Sequence, residues 1–147
     1  KIRKDPKCPL CADNPTQNEL LPDYEAFCGT LSDAAEVAVK DSTISVSELK
    51  SKMDNKEDFY LIDVREPSEF EIVRIPGSHL IPKQGFLDGT VLAGLPQDKP
   101  IILHCKSGVR SAECLAILKG AGFSGASHVS GGVIAWAKQI DTSLPVY

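Results

Sequence analysis

The sequence predicts an α/β domain over residues 42–147, built on a mostly parallel sheet of about five strands with helices covering both faces. Three observations carry this. Strand and helix patterns alternate from Ser42 onward; the strongest apolar runs, Phe59–Val64 (FYLIDV) and Pro100–His104 (PIILH), are continuous; and glycines and prolines punctuate the segments between. A strand apolar on both sides is buried on both faces, which in alternating βα units means a parallel strand between two helical layers.

Thr43–Ile44 suits a short first strand. Ser45 offers an N-cap with Glu48 at capping-box spacing, and Val46, Leu49 and Met53 form a helical stripe behind it. FYLIDV follows as a strand ending in Asp63, and Pro67 opens a short helix through Phe70, proline being tolerated in a first helical turn. Leu80–Ile81, bounded by prolines, reads as another short strand. PIILH is the clearest buried strand; after it come the turn Lys106-Ser107-Gly108 and a helix from about Val109 to Lys119, stopped by Gly120 and Gly122. Ser127–Val129 gives a further strand, and Gly132–Ile140, which contains Trp136, a last helix.

Residues 1–41 read differently. They hold Cys8, Cys11 and Cys28, three of the five cysteines, and show no sustained period apart from Asp33–Val39, a short helix or a linker. A partly irregular tail of a preceding domain plus a linker is expected there. The chain begins at Lys1 and its one methionine is Met53, so the expectation is a piece of a longer or processed chain.

A net charge of −4 argues against general affinity for nucleic acid or an anionic membrane surface. No apolar run approaches the ~20 residues that a bilayer span needs, and the first residues lack a secretory apolar core. An odd cysteine count with a Cys-x-x-Cys pair does not resemble a disulfide framework, so a reducing, cytoplasmic setting is expected.

The chemistry concentrates in His104-Cys105-Lys106-Ser107-Gly108-Val109-Arg110-Ser111. Here a cysteine leaves a buried strand, enters a tight turn and meets a helix start, the place where sites form in parallel sheets. Amides of the turn and first helical residues lack intrahelical partners and favour an anion above Cys105; Lys106 and Arg110 add positive charge. Both effects favour a reactive thiolate, and one cradle would hold a persulfide anion as well. The Cys-x4-Arg spacing is short for a cysteine phosphatase, whose tetrahedral substrate needs a longer loop; a ring this size closes around a single added sulfur. The plainer alternative is a buried core cysteine.

These residues resemble the rhodanese family. CKSGVRS (Cys105–Ser111) is similar to its active-site loop, DVREPSEF (Asp63–Phe70) to its Asp-x-Arg segment, Ile75–Pro82 to its Pro-Gly segment and GGVIAW (Gly131–Trp136) to its Gly-Gly-x-x-x-Trp ending. Val73 and Arg74 stand where the family often has Gly-His, and Ser78 replaces a common alanine. The resemblance implies a rhodanese-like fold, a catalytic Cys105, a persulfide-binding loop of Lys106, Ser107, Gly108, Val109 and Arg110, and supporting roles for Asp63 and Arg65. It implies sulfur transfer with no cofactor in the domain itself; a partner-binding module that moves no sulfur is the alternative. CPLC (Cys8–Cys11) and DYEAFCG (Asp23–Gly29) resemble the C-terminal end of enzymes that adenylate ubiquitin-like sulfur carriers for molybdopterin or thiamine synthesis. That second likeness implies zinc on Cys8 and Cys11 in a longer parent, an adenylating domain upstream, a ubiquitin-like sulfur carrier as partner, and thiosulfate or a cysteine desulfurase persulfide as donor.

Among the remaining residues, Arg110 is expected to brace the loop, with Asp63 as its partner, or to bind sulfur. Lys106 would steer an anionic substrate or remain a solvated charge; Ser107 would orient the sulfur or merely suit the turn. Cys114 and Trp136 read as core residues, and His104 alternates away from Cys105 along its strand.

Overall fold

The structure, a computed structural model, describes residues 41–146. The expectations for the tail, for Cys8, Cys11 and Cys28, and for Asp33–Val39 lie outside these residues. Five strands form one sheet: β1 (Thr43–Ile44), β2 (Tyr60–Asp63), β3 (His79–Leu80), β4 (Ile101–His104) and β5 (Ser127–Val129). Their order is β1-β5-β4-β2-β3 and every pairing is parallel. The helices are α1 (Val46–Asp54), α2 (Pro67–Ile72), α3 (Lys83–Leu87), α4 (Val109–Gly120) and α5 (Gly132–Gln139), with a 3₁₀ turn at Leu92–Gly94.

Strand alternation sorts the helices into two layers. Leu61 of β2, Ile102 of β4 and Val129 of β5 join Val46 and Leu49 of α1 and Val133 and Trp136 of α5 in one buried cluster. His128 precedes Val129 and faces the other way, where Ser111 of α4 meets it, so α4 covers the opposite face with α3 packed beside it. All of β4 is buried, as the unbroken run PIILH predicts. Each of its aliphatic side chains contributes about 1.5–3 kcal/mol by leaving water.

The capping box forms as read: Ser45 Oγ accepts from the Glu48 amide at 3.2 Å, and the Glu48 carboxylate accepts from the Ser45 amide at 2.7 Å. The end of α4 is a Schellman closure, with Gly122 at φ +94° and the Phe123 N–H donating to the Leu118 carbonyl at 3.0 Å.

Several boundaries differ from the sequence reading. α2 runs on to Ile72, where the Val73 amide still reaches the Glu69 carbonyl at 3.3 Å. β3 lies one residue earlier than expected, because His79 pairs with Ile62 and its ring stacks on Tyr60 at 4.5 Å. α3 was not foreseen; KQGFL is too short to show a period, and Phe86 is its one buried residue.

Candidate active site

Cys105 is the first residue beyond β4, and three elements hold it. Gly108 adopts φ +107°, which turns the chain so that its own N–H points at the Cys105 sulfur, 3.1 Å away. A Cβ on Gly108 would stand 3.3 Å from the Gly131 nitrogen, so the left-handed turn and the close approach both require glycine. Helix α4 begins immediately after, its first intrahelical bond running from the Ala112 N–H to the Gly108 carbonyl at 3.0 Å. The amides of Val109, Arg110 and Ser111 precede that bond and are the donors no helical carbonyl reaches.

Helix α5 grips the loop from its other side. The Val133 N–H donates to the Cys105 carbonyl at 2.9 Å, and the Ile134 N–H to the Lys106 carbonyl at 3.1 Å. Gly132, at φ +53°, makes this possible, since any side chain there would collide with those same two carbonyls. The Gly-Gly pair near the C-terminus and the cysteine loop are thus one unit, joined through backbone.

The expected pairing of Arg110 with Asp63 does not occur. Arg110 instead makes two bonds to the Glu69 carboxylate, Nη1 to Oε2 at 2.6 Å and Nη2 to Oε1 at 2.7 Å. Asp63 is taken by Arg65: Nε and Nη2 of Arg65 donate to its carboxylate at 2.6–3.0 Å. Both residues are fully buried, and Arg65 also donates to the carbonyls of Glu69 and Val73. A buried guanidinium needs its donors met, and this one ties the end of β2 to α2, the helix that carries Glu69. The Asp-x-Arg segment therefore supports the loop at one remove, through the backbone beneath Glu69.

Other residues fall as follows. Lys106 is half-buried and Ser107 exposed, while Val109 stands 65% exposed at the loop's edge. The hydroxyl at the sulfur belongs to Ser111, whose Oγ lies 3.5 Å from Sγ; of the two roles the sequence offers Ser107, orienting the sulfur or suiting the turn, the first falls to Ser111. Ser111 is spaced six residues from Cys105, one turn into α4, and that spacing was the available signal. Cys105 itself is 1% exposed. Cys114 is a fully buried core residue, and burial pushes its thiol up to about 12. His104 is buried with no hydrogen-bond partner on either ring nitrogen, and burial pushes it down to about 4. Trp136 sits in the core. Among the described residues no cluster of three or more His, Cys, Asp or Glu side chains is placed to hold a metal ion, and no helix is long and apolar enough to cross a membrane.

The sequence profile of the rhodanese-like domain matches residues 45–139, which covers strands β2 to β5, the helices and this loop. The chain belongs to the rhodanese-like domain family. The chain is 49% identical over 146 residues to a probable adenylyltransferase/sulfurtransferase MoeZ of Mycobacterium tuberculosis, covering 99% of the chain and 36% of that relative. It is 34% identical to the adenylyltransferase and sulfurtransferase MOCS3 of Xenopus laevis, covering all of the chain and 38% of that protein. The chain thus spans little more than a third of these relatives. Among solved structures, a rhodanese-like domain protein from Staphylococcus aureus is similar at 30% identity and a TM-score of 0.60, over 72% of this chain and 98% of that one.

Proposed function

We propose that this rhodanese domain is a sulfurtransferase that carries sulfur as a persulfide on Cys105. The observation that carries the reading is the Gly108 amide aimed at the Cys105 sulfur, with the Ser111 hydroxyl beside it. Donors to sulfur stabilise a thiolate, and a persulfide anion one atom further out would draw on the same first-turn amides. With thiosulfate as donor, the Cys105 thiolate attacks the outer sulfur, the S–S bond of thiosulfate breaks, and sulfite leaves with the bonding pair. Lys106 and the first turn of α4 favour that dianion's approach. The terminal persulfide sulfur is then the nucleophile toward an acyl acceptor, and is itself attacked when the acceptor is a nucleophile such as cyanide.

The acceptor we propose is the adenylated C-terminus of a ubiquitin-like sulfur carrier. Two relatives whose names join adenylyltransferase to sulfurtransferase, each about 36–38% covered by this chain, support it. The persulfide sulfur attacks the acyl carbonyl and AMP departs; a thiol then attacks the Cys105 sulfur of the acyl disulfide, the thiocarboxylate leaves with the bonding pair, and a second thiol reduces the disulfide left on Cys105. In this reading the chain works beside an adenylating domain in a cytoplasmic, reducing setting, and Cys8 and Cys11 bind zinc in the longer parent. A persulfide donor such as a cysteine desulfurase would serve in place of thiosulfate.

The test is steady-state sulfur transfer from thiosulfate to cyanide, read as thiocyanate. Turnover that disappears in Cys105→Ala supports the reading. The 1% exposure of Cys105 favours one rival, a partner-binding module that moves no sulfur; intact protein that takes sulfur neither from thiosulfate nor from a persulfide donor would support that rival.

A further inference from the structure

A chain of polar contacts leaves the Cys105 sulfur and crosses the domain to its edge strand. Ser111 Oγ lies 3.5 Å from Sγ, His128 Nδ1 lies 3.3 Å from Ser111 Oγ, and Thr43 Oγ1 lies 3.0 Å from His128 Nε2. Cys105, Ser111 and His128 are 1%, 0% and 6% exposed, so water does not compete freely along the way.

Ser111 has one hydroxyl proton and three acceptors within reach: the sulfur, the Gly108 carbonyl at 3.0 Å, and His128 Nδ1 when that nitrogen is bare. A bare Nδ1 draws the proton away from Cys105. An Nδ1 that carries hydrogen donates into the Ser111 oxygen instead and leaves the hydroxyl proton to the other two. Of those, an anionic sulfur is the stronger attractor. Thr43 can donate to Nε2 or accept from it, so the far end of the ring accommodates either tautomer.

We infer that His128 is a positioning residue for sulfur transfer, acting through Ser111: its Nδ1–H tautomer turns the Ser111 hydroxyl onto Cys105 and stabilises the anionic sulfur states over the neutral thiol. This deepens the persulfide reading of Cys105 and rests on it. Among the described residues, the ring nitrogens are met by Ser111 from α4 and Thr43 from β1, with Cys105 beyond Ser111. Burial holds His128 below the usual imidazole range, and no charged side chain among the described residues contributes to that shift. The ring therefore works by exchanging tautomers while neutral.

Two measurements on the chain test this without any sulfur donor. The rate of Cys105 alkylation by iodoacetamide across pH reads its thiolate, and the ring-nitrogen NMR shifts of His128 read its tautomer. The Nδ1–H population should rise with the same midpoint as alkylation, and should not respond in Cys105→Ala. His128→Phe and Ser111→Ala should each slow alkylation at neutral pH about tenfold, the weight of one hydrogen bond to a charged group. His128→Asn, whose amide can still donate to Ser111, should recover most of that loss. Flat His128 signals through the alkylation midpoint overturn the inference even if His128→Phe does not fold, as does a folded His128→Phe with the unaltered alkylation profile. A coupled His128 in a protein that takes sulfur neither from thiosulfate nor from a persulfide donor would refute the sulfurtransferase reading and leave the relay standing; sulfur loading with an uncoupled His128 would do the reverse.

Discussion

Glu69 and Arg110, on different helices and 41 residues apart, form a two-bonded ion pair that fastens α2 to the first turn of α4. Both side chains are partly exposed, at 18% and 30%, so the pair adds only about 1 kcal/mol or less to stability. Its weight falls on geometry. Glu69→Gln should slow thiosulfate-dependent loading of Cys105 about tenfold, the scale of a small misplacement of reacting groups. The melting temperature should stay close to that of the parent, and parallel loading kinetics and thermal melts check both.

The Asp63–Arg65 pair makes the opposite trade. Both partners are fully buried, and removing one strands the other's charge in the interior. Asp63→Ala should cost about 3–5 kcal/mol in urea unfolding. Replacing both residues with apolar ones, Asp63→Leu with Arg65→Met, should recover part of that loss.

His104 makes acid stability predictable. Its folded pKa, pushed by burial to about 4, lies below the ordinary 6.5, so the unfolded chain binds the proton more readily. Stability is therefore retained above about 6.5 and falls as pH drops toward 4, by about 3 kcal/mol in all. His104→Gln should flatten that slope in urea midpoints measured across the same range.

Gly132 is required by contact as well as by conformation. Gly132→Ala would push a methyl group into the carbonyls that α5 caps and hold a non-glycine residue at φ +53°. A loss of about 2 kcal/mol is expected, with loading of Cys105 reduced more than in Glu69→Gln because the loop backbone itself must shift. Urea denaturation and loading kinetics on the same preparation measure the two effects.

What could be read from the sequence was what lies close together along it. The alternation of elements, the Ser45–Glu48 box and the turn from β4 through Cys105 into α4 are all local, and each forms as expected. The sequence offers Asp63 as one partner for Arg110; only the fold shows that Arg65, two residues from Asp63, already occupies it. Ser111 and His128 are 17 residues apart and meet because β5 lies beside β4 beneath α4, a topology the sequence does not print. The β3 register was missed for a similar reason: apolarity pointed to Leu80–Ile81, whereas backbone pairing and the His79–Tyr60 stack place the strand one residue earlier.

The most direct test is intact mass followed by peptide mapping after brief exposure of the reduced chain to thiosulfate. One added sulfur atom should appear per chain, mapped to Cys105, lost with cyanide and absent from Cys105→Ala. Cys114, held as a neutral thiol by its burial, should remain unmodified. Sulfur mapped to Cys114, or an equal adduct on Cys105→Ala, would contradict the assignment of the chemistry to the loop after β4.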